Sequence, residues 1–384
     1  MKKRDVSEPA GTKFPEAIRF KFMLMLSLFV IAGCNQKQDE TANKLSPIVV
    51  TEQVMYDTDD PAIWIDPADP SKSLIIGTDK EEDGALYVFS LDGKVIEQKT
   101  VRELKRPNNV DVEYGLLLNG VPVDIAVTTE RLENKIRIFS LPDMKPIDLG
   151  GIAVFVDEDL RAPMGIALYK RPSDGSIYAI VGRKEGPADG TYLWQYRLED
   201  DGNGMVKATK VREFGNWSGI KEIEAIAVDD PLGYVYYADE NVGIRKYHAD
   251  PDAENANTEL ALFGTDGFML DREGISIYQI DDGTGYILVS DQEANKFHIY
   301  KREGEPGDPH NHQLVKTIAV STNNSDGSEV TNVSLNEKFP AGLFVAMSDD
   351  RTFQFYSWKD IAGDDLLCAP DGHRSSPVLH DENK

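Results

Sequence analysis

Cysteine is almost absent from this chain of 384 residues, which contains only Cys34 and Cys368. Two cysteines cannot form the disulfide framework that holds together small secreted domains with little core. The sequence around Cys34 indicates another role for it, and Cys368 then stands alone beside a polar C-terminal segment. Stability must therefore come from packing, for which 41% hydrophobic residues with 4 Trp, 15 Tyr and 15 Phe suffice.

Helical periodicity is also missing, because no long stretch repeats apolar residues at spacings of three and four. A parallel α/β sheet needs crossover helices, so this fold class is excluded. Long hydrophobic runs are missing as well. The run within residues 22–32 holds about ten apolar residues, which are too few to span a bilayer.

Motifs of nucleophilic catalysis are absent too. No Gly-x-Ser-x-Gly, His-Glu-x-x-His or glycine-rich phosphate loop occurs, and the six histidines are scattered. His310 and His312 lie in a Gly/Pro-rich loop, where we expect solvent exposure. A serine or cysteine nucleophile is therefore disfavoured, and water activated by a metal remains.

Positive charge is in the minority, with 41 Lys and Arg against 66 Asp and Glu and a net charge of −25. A chain this acidic is not expected to bind nucleic acid or an anionic membrane surface. Solubility after export is one interpretation of the acidity. A set of carboxylates gathered to hold cations is the other.

The chain contains six copies of one pattern, each about 50 residues long or slightly longer. Each copy has three or four short alternating strands between Gly, Asp and Asn turns. Two examples are IGTDKEEDGALYVFSLDG at 76–93 and VTTERLENKIRIFSLP at 127–142. The sixfold repetition predicts an all-β protein, a six-bladed β-propeller.

The repeats assign residues 51–362 to a single propeller domain, which we expect to be a monomer. The sixth copy supplies only three strands, so residues 46–54 are expected to add the fourth strand and close the ring. Residues 363–384 are predicted to form a polar tail.

Residues 1–33 resemble the signal peptide of a bacterial lipoprotein. Basic residues precede the apolar run, and Ile31-Ala32-Gly33 lead to Cys34 as in a lipobox. We predict that Cys34 is lipidated and that residues 34–50 hold a polar tether. The protein would then be exported and anchored at the cell surface or periplasmic face, touching the membrane through this lipid only. An ordinary secretory signal with a coincidental cysteine is the alternative.

Carboxylates and amides recur where the first strand of each repeat begins. The first strand of a propeller blade is the innermost one, so these positions should line one mouth of the central channel. They are Asp59, Asp60, Asn108, Asn109, Met164, Glu222, Glu224, Asp271, Glu273, Asp326 and Glu329. Facing carboxylates repel one another unless a hard cation lies among them, and Ca²⁺ accepts about six to eight oxygen ligands.

The turn between the second and third strands carries cations in the first three repeats and acids or an amide in the others. These residues are Lys80, Arg131, Lys184, Glu240, Gln292, Asp349 and Asp350. The repeat leaves open whether this turn faces the same mouth or the opposite one. Bases facing protein-bound metal ions would form a site for a phosphate-rich anion, because both groups bind phosphate oxygens.

The ordered motifs DDPAIW, NNVD, RKEG, GISIY, GTGYILVSDQ and FPAGLFVA resemble the β-propeller phytases, also called alkaline phytases, over about residues 55–358. The resemblance implies a phytase, a phosphoric monoester hydrolase of the 3-phytase type acting on myo-inositol hexakisphosphate (phytate). It also implies several calcium ions, structural and catalytic, and direct attack on phosphorus by a calcium-activated water. Two adjacent phosphates would bind, one in a cleavage site and one in an affinity site.

The resemblance also implies residue roles. The implied phosphate-binding and catalytic bases are Lys80, Arg131 and Lys184. The implied calcium ligands are Asp59, Glu224, Glu240, Asp271, Glu273 and Asp326. We also predict Asp60 and Asn109 as metal ligands, Glu185 and Glu224 as catalytic carboxylates, and Gln292 as a substrate contact.

Departures from the family pattern bear on substrate preference and on the number of calcium ions. Glu81 follows Lys80 where the family often has a second lysine, and Met164 stands where a tyrosine is common. The acidic turn before the sixth repeat lacks an upstream aspartate.

Two other functions remain open from the sequence. A calcium-dependent lactonase or esterase propeller would need one buried calcium ion. It would not need basic residues at the same position of several repeats. A non-catalytic binding propeller would not need carboxylates at the channel mouth. The three cations argue against the first alternative, and the carboxylates argue against the second.

Overall fold

The fold was obtained as a computed structural model that describes residues 44–370, and all structural statements below refer to this range. Short antiparallel strands form six sheets of four or five strands each within it. The sheets are the blades of a β-propeller around a central channel, which confirms the predicted fold class. No helix in residues 44–370 is long and apolar enough to cross a membrane.

The first five blades are each built from consecutive strands, ordered from the channel outward. Blade 1 contains Thr58–Trp64, Leu74–Asp79, Gly84–Phe89 and Val101–Leu104. Blade 2 contains Pro107–Leu118, Val121–Glu130, Lys135–Ser140 and Ile152–Ala153, with the short strand Lys145–Pro146 beside them. Blade 3 contains Pro163–Lys170, Ile177–Arg183, Leu193–Asp200 and Val206–Phe214.

Blades 4 and 5 follow the same order. Blade 4 contains Ile226–Asp229, Tyr234–Asp239, Gly243–His248 and Ala261–Phe263. Blade 5 contains Arg272–Gln279, Gly285–Asp291, Lys296–Lys301 and Leu314–Ala319. Short 3-10 turns lie at Pro70–Lys72 and Arg131–Glu133.

Blade 6 closes the ring with strands from both ends of the described chain. Its inner strands are Ser328–Thr331, Leu343–Ser348 and Thr352–Ser357, and its outermost strand is Val49–Val50. Val49 pairs with Phe355 in antiparallel register. The N–H of Thr51 extends the pairing by donating to the carbonyl of Phe353 at 3.0 Å. The predicted closing strand is therefore confirmed.

The hydrophobic core lies between neighbouring blades, in one apolar cluster for each of the six contacts in the described residues. Successive side chains of a strand point to opposite faces, so one strand contributes to two clusters. Ile75 packs in the cluster shared with blade 6, whereas Ile76 packs in the cluster shared with blade 2. Because both faces of such a strand are buried, its sequence is a nearly continuous apolar run.

The chain leaves blade 6 through the helix Trp358–Ala362 and packs onto blade 5. The Trp358 ring stacks on Tyr278 with 3.7 Å between centroids, and its indole N–H donates to the carbonyl of Leu367 at 3.1 Å. The first residues of the predicted tail are thus attached to blade 5, where the N–H groups of Leu367 and Ala369 donate to the hydroxyls of Tyr286 and Tyr278. Residues 371–384 and the predicted signal and lipidation site lie outside the described range.

Candidate active site at the channel mouth

The predicted site residues lie where the inner strands are irregular. Pairing shifts register between Thr58 and Pro61 in blade 1 and between Pro107 and Val110 in blade 2, and blades 3 and 5 show the same irregularity at their first residues. A bulge interrupts the alternation of side chains and re-aims them, which is why bulges often lie beside functional sites. Consecutive polar residues here can therefore point in different directions.

Two glycines allow the inner strands to approach one another closely at the mouth. A side chain at Gly165 would place its Cβ 1.9 Å from the carbonyl oxygen of Glu224, and one at Gly327 would place it 2.5 Å from that of Asp59. No other residue type fits where the Cβ would overlap backbone atoms. These glycines let the segments that carry Glu224 and Asp59 converge on the channel.

The cationic turns face the same mouth as the inner-strand carboxylates, which answers the question left open by the sequence. Lys80 Nζ contacts Asp59 Oδ1 and lies 3.3 Å from Asp326 Oδ2. Lys184 Nζ lies 2.5 Å from Glu222 Oε2. The bases predicted to bind phosphate and the acids predicted to bind metal therefore share one site.

Two groups of three carboxylates have ligand atoms within 4.8 Å of one another. The groups are Glu222, Glu224 and Glu240, and Glu240, Asp271 and Glu273. Glu240 belongs to both groups and is fully buried. We call these five residues together with Asp59 and Asp326 the acidic cluster.

The acidic cluster fits a calcium ion. Its ligand atoms are carboxylate oxygens, the donors that hard divalent cations prefer. Glu240 Oε1 and Glu273 Oε2 are buried and have no hydrogen-bond partner among the described residues. A buried polar atom without a partner is costly, and a bound cation would satisfy both atoms.

Burial raises the pKa of most carboxyls in the acidic cluster, and the charges of neighbouring carboxylates add to the effect. The pKa of Asp59 is raised to about 6 by burial, although Lys80 opposes the rise. The pKa values of Glu224, Glu240, Glu273 and Asp326 rise for the same reason. Buried carboxylates close to one another favour a bound cation, because the cation removes their repulsion.

Asn108 connects the acidic cluster across the channel. Its side-chain amide donates to Asp59 Oδ2 at 3.0 Å and to Glu224 Oε1 at 2.6 Å, and the residue is fully buried. The neighbouring Asn109 was predicted as a metal ligand, but its N–H bonds Thr129 Oγ1 at 3.4 Å and its Oδ1 has no partner among the described residues. Among the described residues, Asn108 hydrogen-bonds the acidic cluster and Asn109 does not. The prediction that Asn109 is a metal ligand stays a prediction, because its buried Oδ1 is unpaired.

Asp60 is the second predicted ligand that lies apart from the acidic cluster. Its Oδ2 accepts a hydrogen bond from the N–H of Val110 at 3.1 Å. With Asp111 and Glu329 it lines a cavity of about 220 Å³ in the central channel. Asp59 and Asp60 therefore point to different parts of the channel, as the bulge between Thr58 and Pro61 allows.

Arg131 is buried beside the acidic cluster and forms no ion pair within residues 44–370. Only 8% of it is exposed, and its Nε and Nη2 have no hydrogen-bond partner among the described residues. Burial lowers the pKa of Arg131, while the charges of Glu224 and Asp59 oppose this effect. The adjacent Glu130 pairs instead with Lys135 at 3.5 Å. Two buried donors are thus free to bind an anion.

The remaining predicted residues differ in their positions. Gln292 Nε2 donates to Asp326 Oδ1, so Gln292 lies at the edge of the acidic cluster. Glu185 is exposed and makes no hydrogen bond or ion pair with any residue in the described range. The structure therefore brings Gln292, but not Glu185, into the site.

Lys221 is a site residue that the sequence did not single out. Its Nζ lies 2.7 Å from Glu240 Oε2 and contacts Asp271 Oδ2. In the repeat pattern, Lys221 lies just before the positions at which the other repeats have their polar residues. Its one sequence signal is its position directly before Glu222, in the segment that leads into blade 4.

Comparisons with known proteins show the family of this chain. The phytase family model matches residues 22–362. The chain is 31% identical over 322 residues to the 3-phytase of Bacillus subtilis (strain 168), with 79% of this chain and 80% of the relative covered. Among solved structures, the Dos1 propeller is similar with a TM-score of 0.40 and 10% identity over 78% of this chain and 67% of that one. The family match covers most of the chain, and by this match the protein belongs to the phytase family of enzymes.

Proposed function

We propose that this phytase hydrolyses phytate to lower inositol phosphates in a calcium-dependent reaction in which water attacks phosphorus directly. The supporting observation is the shared mouth, where Lys80, Arg131 and Lys184 surround a cluster of buried carboxylates. The family membership and the similarity to a 3-phytase support phytate as the substrate.

The charge balance of the mouth supports the calcium dependence. The acidic cluster holds seven carboxylates, whereas Lys80, Arg131, Lys184 and Lys221 supply four positive charges. A phosphate-rich anion would be repelled by the excess of negative charge. Calcium held by Glu222, Glu224, Glu240, Asp271 and Glu273 would neutralise phosphate oxygens and lower the pKa of water at the site.

The bases of the mouth would bind and orient the substrate. Arg131 has two free buried donors, and a guanidinium binds phosphate with two parallel hydrogen bonds. Lys80 is held beside Asp59 and Asp326, where its ammonium can contact a phosphate close to the acidic cluster. Lys184 lies near the solvent-exposed side of the mouth, with 41% of its side chain exposed, and suits a neighbouring phosphate.

The test is phosphate release from phytate by the full chain in calcium, then in excess chelator, and again after calcium is restored. We expect release that is lost in chelator and recovered with calcium. Lactone and carboxylic ester substrates serve as the matched comparison. Hydrolysis of these esters without phosphate release would contradict the proposal, as would undiminished phosphate release in chelator.

We also propose that the protein is exported and anchored through a lipid on Cys34. The support is the sequence alone, since Ile31-Ala32-Gly33-Cys34 follows a short apolar run preceded by basic residues. An extracytoplasmic anchor would hold a phosphate-releasing enzyme close to the cell.

A further inference from the structure

Lys221 places a positive charge inside one of the two carboxylate groups. Its Nζ lies 2.7 Å from Glu240 Oε2 and 4.0 Å from Glu273 Oε1, and it also contacts Asp271 Oδ2. These three carboxylates converge to within 4.8 Å and come from blade 4 and the start of blade 5. One ammonium group thus faces every member of this group.

The carboxylates need such a charge when no metal is bound. Glu240 and Glu273 are almost fully buried, and like charges at this separation repel strongly where water is excluded. Lys221 is the cation that pairs with this group among the described residues. An ammonium is a compact charge with three donors, so it can serve three carboxylates at once.

The backbone and the side chain of Lys221 are held differently. The carbonyl of Lys221 accepts a hydrogen bond of 2.5 Å from the indole N–H of Trp217, which fixes the segment. The side chain is 37% exposed and so has a path to solvent. The side chain of Lys80 is only 14% exposed and lies enclosed between Asp59 and Asp326.

We propose that Lys221 is a built-in competitor of the divalent cation. Its ammonium holds Glu240, Asp271 and Glu273 together in the metal-free protein and leaves them when the metal binds, because both need the same oxygens. This inference rests on the proposed calcium dependence. It assigns Lys221 the role of setting calcium affinity while keeping the metal-free propeller folded.

The experiment compares Lys221→Met with the wild type in the full chain by calorimetric titration with calcium chloride and by thermal unfolding. Methionine keeps the length of the side chain and removes its charge. We expect calcium to bind about tenfold more tightly or better, equivalent to about 1.4 kcal/mol. The melting temperature should fall in chelator and rise more steeply with calcium than that of the wild type.

The matched control is Lys72→Met. Lys72 also pairs with one carboxylate, Asp69 at 3.1 Å, but its side chain is 72% exposed and lies in the turn that follows the inner strand of blade 1. This variant removes the same charge from the protein and should bind calcium as the wild type does. A gain in affinity shared by both variants would overturn the proposal, because it would be a general effect of net charge.

Three further results would test the proposed role of Lys221. Equal or weaker calcium binding by Lys221→Met than by the wild type would overturn this inference while leaving the calcium dependence intact. Absence of calcium binding by the wild type would overturn both. If Lys221→Met is unfolded in chelator, recovery of the native circular dichroism spectrum at calcium concentrations below those that half-saturate the wild type supports the proposal, and failure to recover overturns it.

Discussion

Asn108 donates a hydrogen bond of 2.6 Å to Oε1 of Glu224, although 116 residues separate them in the chain. The same amide donates to Asp59 Oδ2 at 3.0 Å, so one side chain from blade 2 joins carboxylates at the starts of blades 1 and 4. Both carboxylates are buried. This contact therefore holds Asp59 and Glu224 at a fixed distance across the mouth, where the phosphate-binding and the metal-binding groups face each other.

Removing this amide should destabilise the protein. In Asn108→Ala two buried carboxylates lose a donor, and we expect the free energy of unfolding in chelator to fall by about 2 kcal/mol or more. Urea denaturation followed by circular dichroism measures the change. Asn203→Ala is the control, because Asn203 is exposed and its side-chain amide donates, within the described part of the chain, only to Asp201 at 3.4 Å. An equal loss of unfolding free energy in both variants would show that Asn108 does not stabilise the contact between Asp59 and Glu224.

The sequence predicted the propeller because its repeats encode it locally. Alternating apolar strands such as Leu74–Asp79 serve two inter-blade clusters, and a missing fourth strand in the last repeat implies closure by the segment around Val49. Lys80 and Lys184 occupy the same position within their repeats, which likewise predicted that they lie in equivalent turns.

The sequence could not predict which of two adjacent polar residues enters the site. Asn108 and Asn109 lie within a bulge, where the alternation that assigns faces fails. Lys221 was missed because it belongs to a connecting segment rather than to a repeated position. Its ion pairs form only when blades 4 and 5 are side by side, and this contact is not encoded in the repeat.

His312 is buried, so the expectation of a solvated loop is wrong for this residue. Its Nδ1 lies 2.7 Å from the carbonyl of Lys301 and must carry the proton, which leaves Nε2 to accept from Lys246 Nζ at 3.1 Å. Burial lowers the pKa of His312 to about 4, and the charge of Lys246 adds to the effect. His310 and Asp308 also act on the ring, in opposite directions.

The burial of His312 predicts that this residue's contribution to stability falls in mild acid. At this site the unfolded chain, with an ordinary histidine pKa of about 6.5, binds more protons than the folded protein between pH 6.5 and about 4. The contribution of His312 to the free energy of unfolding should therefore decrease by up to about 2 kcal/mol between pH 7 and 5. The buried carboxyls with raised pKa act in the opposite direction in both proteins, so the wild type should lose this amount relative to His312→Gln. Urea denaturation of both proteins at both pH values measures the difference, and an identical change in both would contradict the assignment.

The lipid anchor can be tested by Cys34→Ser. A lipobox cysteine is the acceptor of the lipid, so its removal should move the exported protein from the membrane fraction to the soluble fraction. Cys368→Ser is the control, because Cys368 is exposed and lies at the other end of the chain. Fractionation and immunoblotting measure the distribution. Cys34→Ser protein that stays with the membranes would show that the lipoprotein hypothesis is wrong.

The hypothesis that Glu273 is a calcium ligand predicts a change in calcium affinity without a change in folding. Its carboxylate converges with those of Glu240 and Asp271, so Glu273→Gln should weaken calcium binding by about tenfold or more while the propeller stays folded. Calorimetric titration with calcium beside circular dichroism separates affinity from folding. Glu254→Gln removes an exposed carboxylate and should change neither quantity. Wild-type affinity in Glu273→Gln would remove Glu273 from the set of ligands.

Arg131 makes the last prediction. A surface salt bridge to Glu130 or Glu133 would have made it irrelevant to turnover, but Arg131 is buried and Glu130 pairs with Lys135 instead. If its free donors hold the reacting phosphate, Arg131→Ala should lower kcat/KM on phytate by about a hundredfold or more, equivalent to about 2.7 kcal/mol of transition-state stabilisation.

Stability and activity should separate in this variant. Arg131 makes no ion pair in the described residues, so the melting temperature of Arg131→Ala in calcium should change little. Arg131→Lys should restore only part of kcat/KM, since an ammonium keeps the charge but cannot form two parallel hydrogen bonds. Arg102→Ala is the control, because Arg102 is half-exposed and pairs with Glu97 at 2.8 Å. Wild-type kcat/KM in Arg131→Ala would show that this turn does not bind the substrate, and would remove the main support for the same role in Lys80 and Lys184.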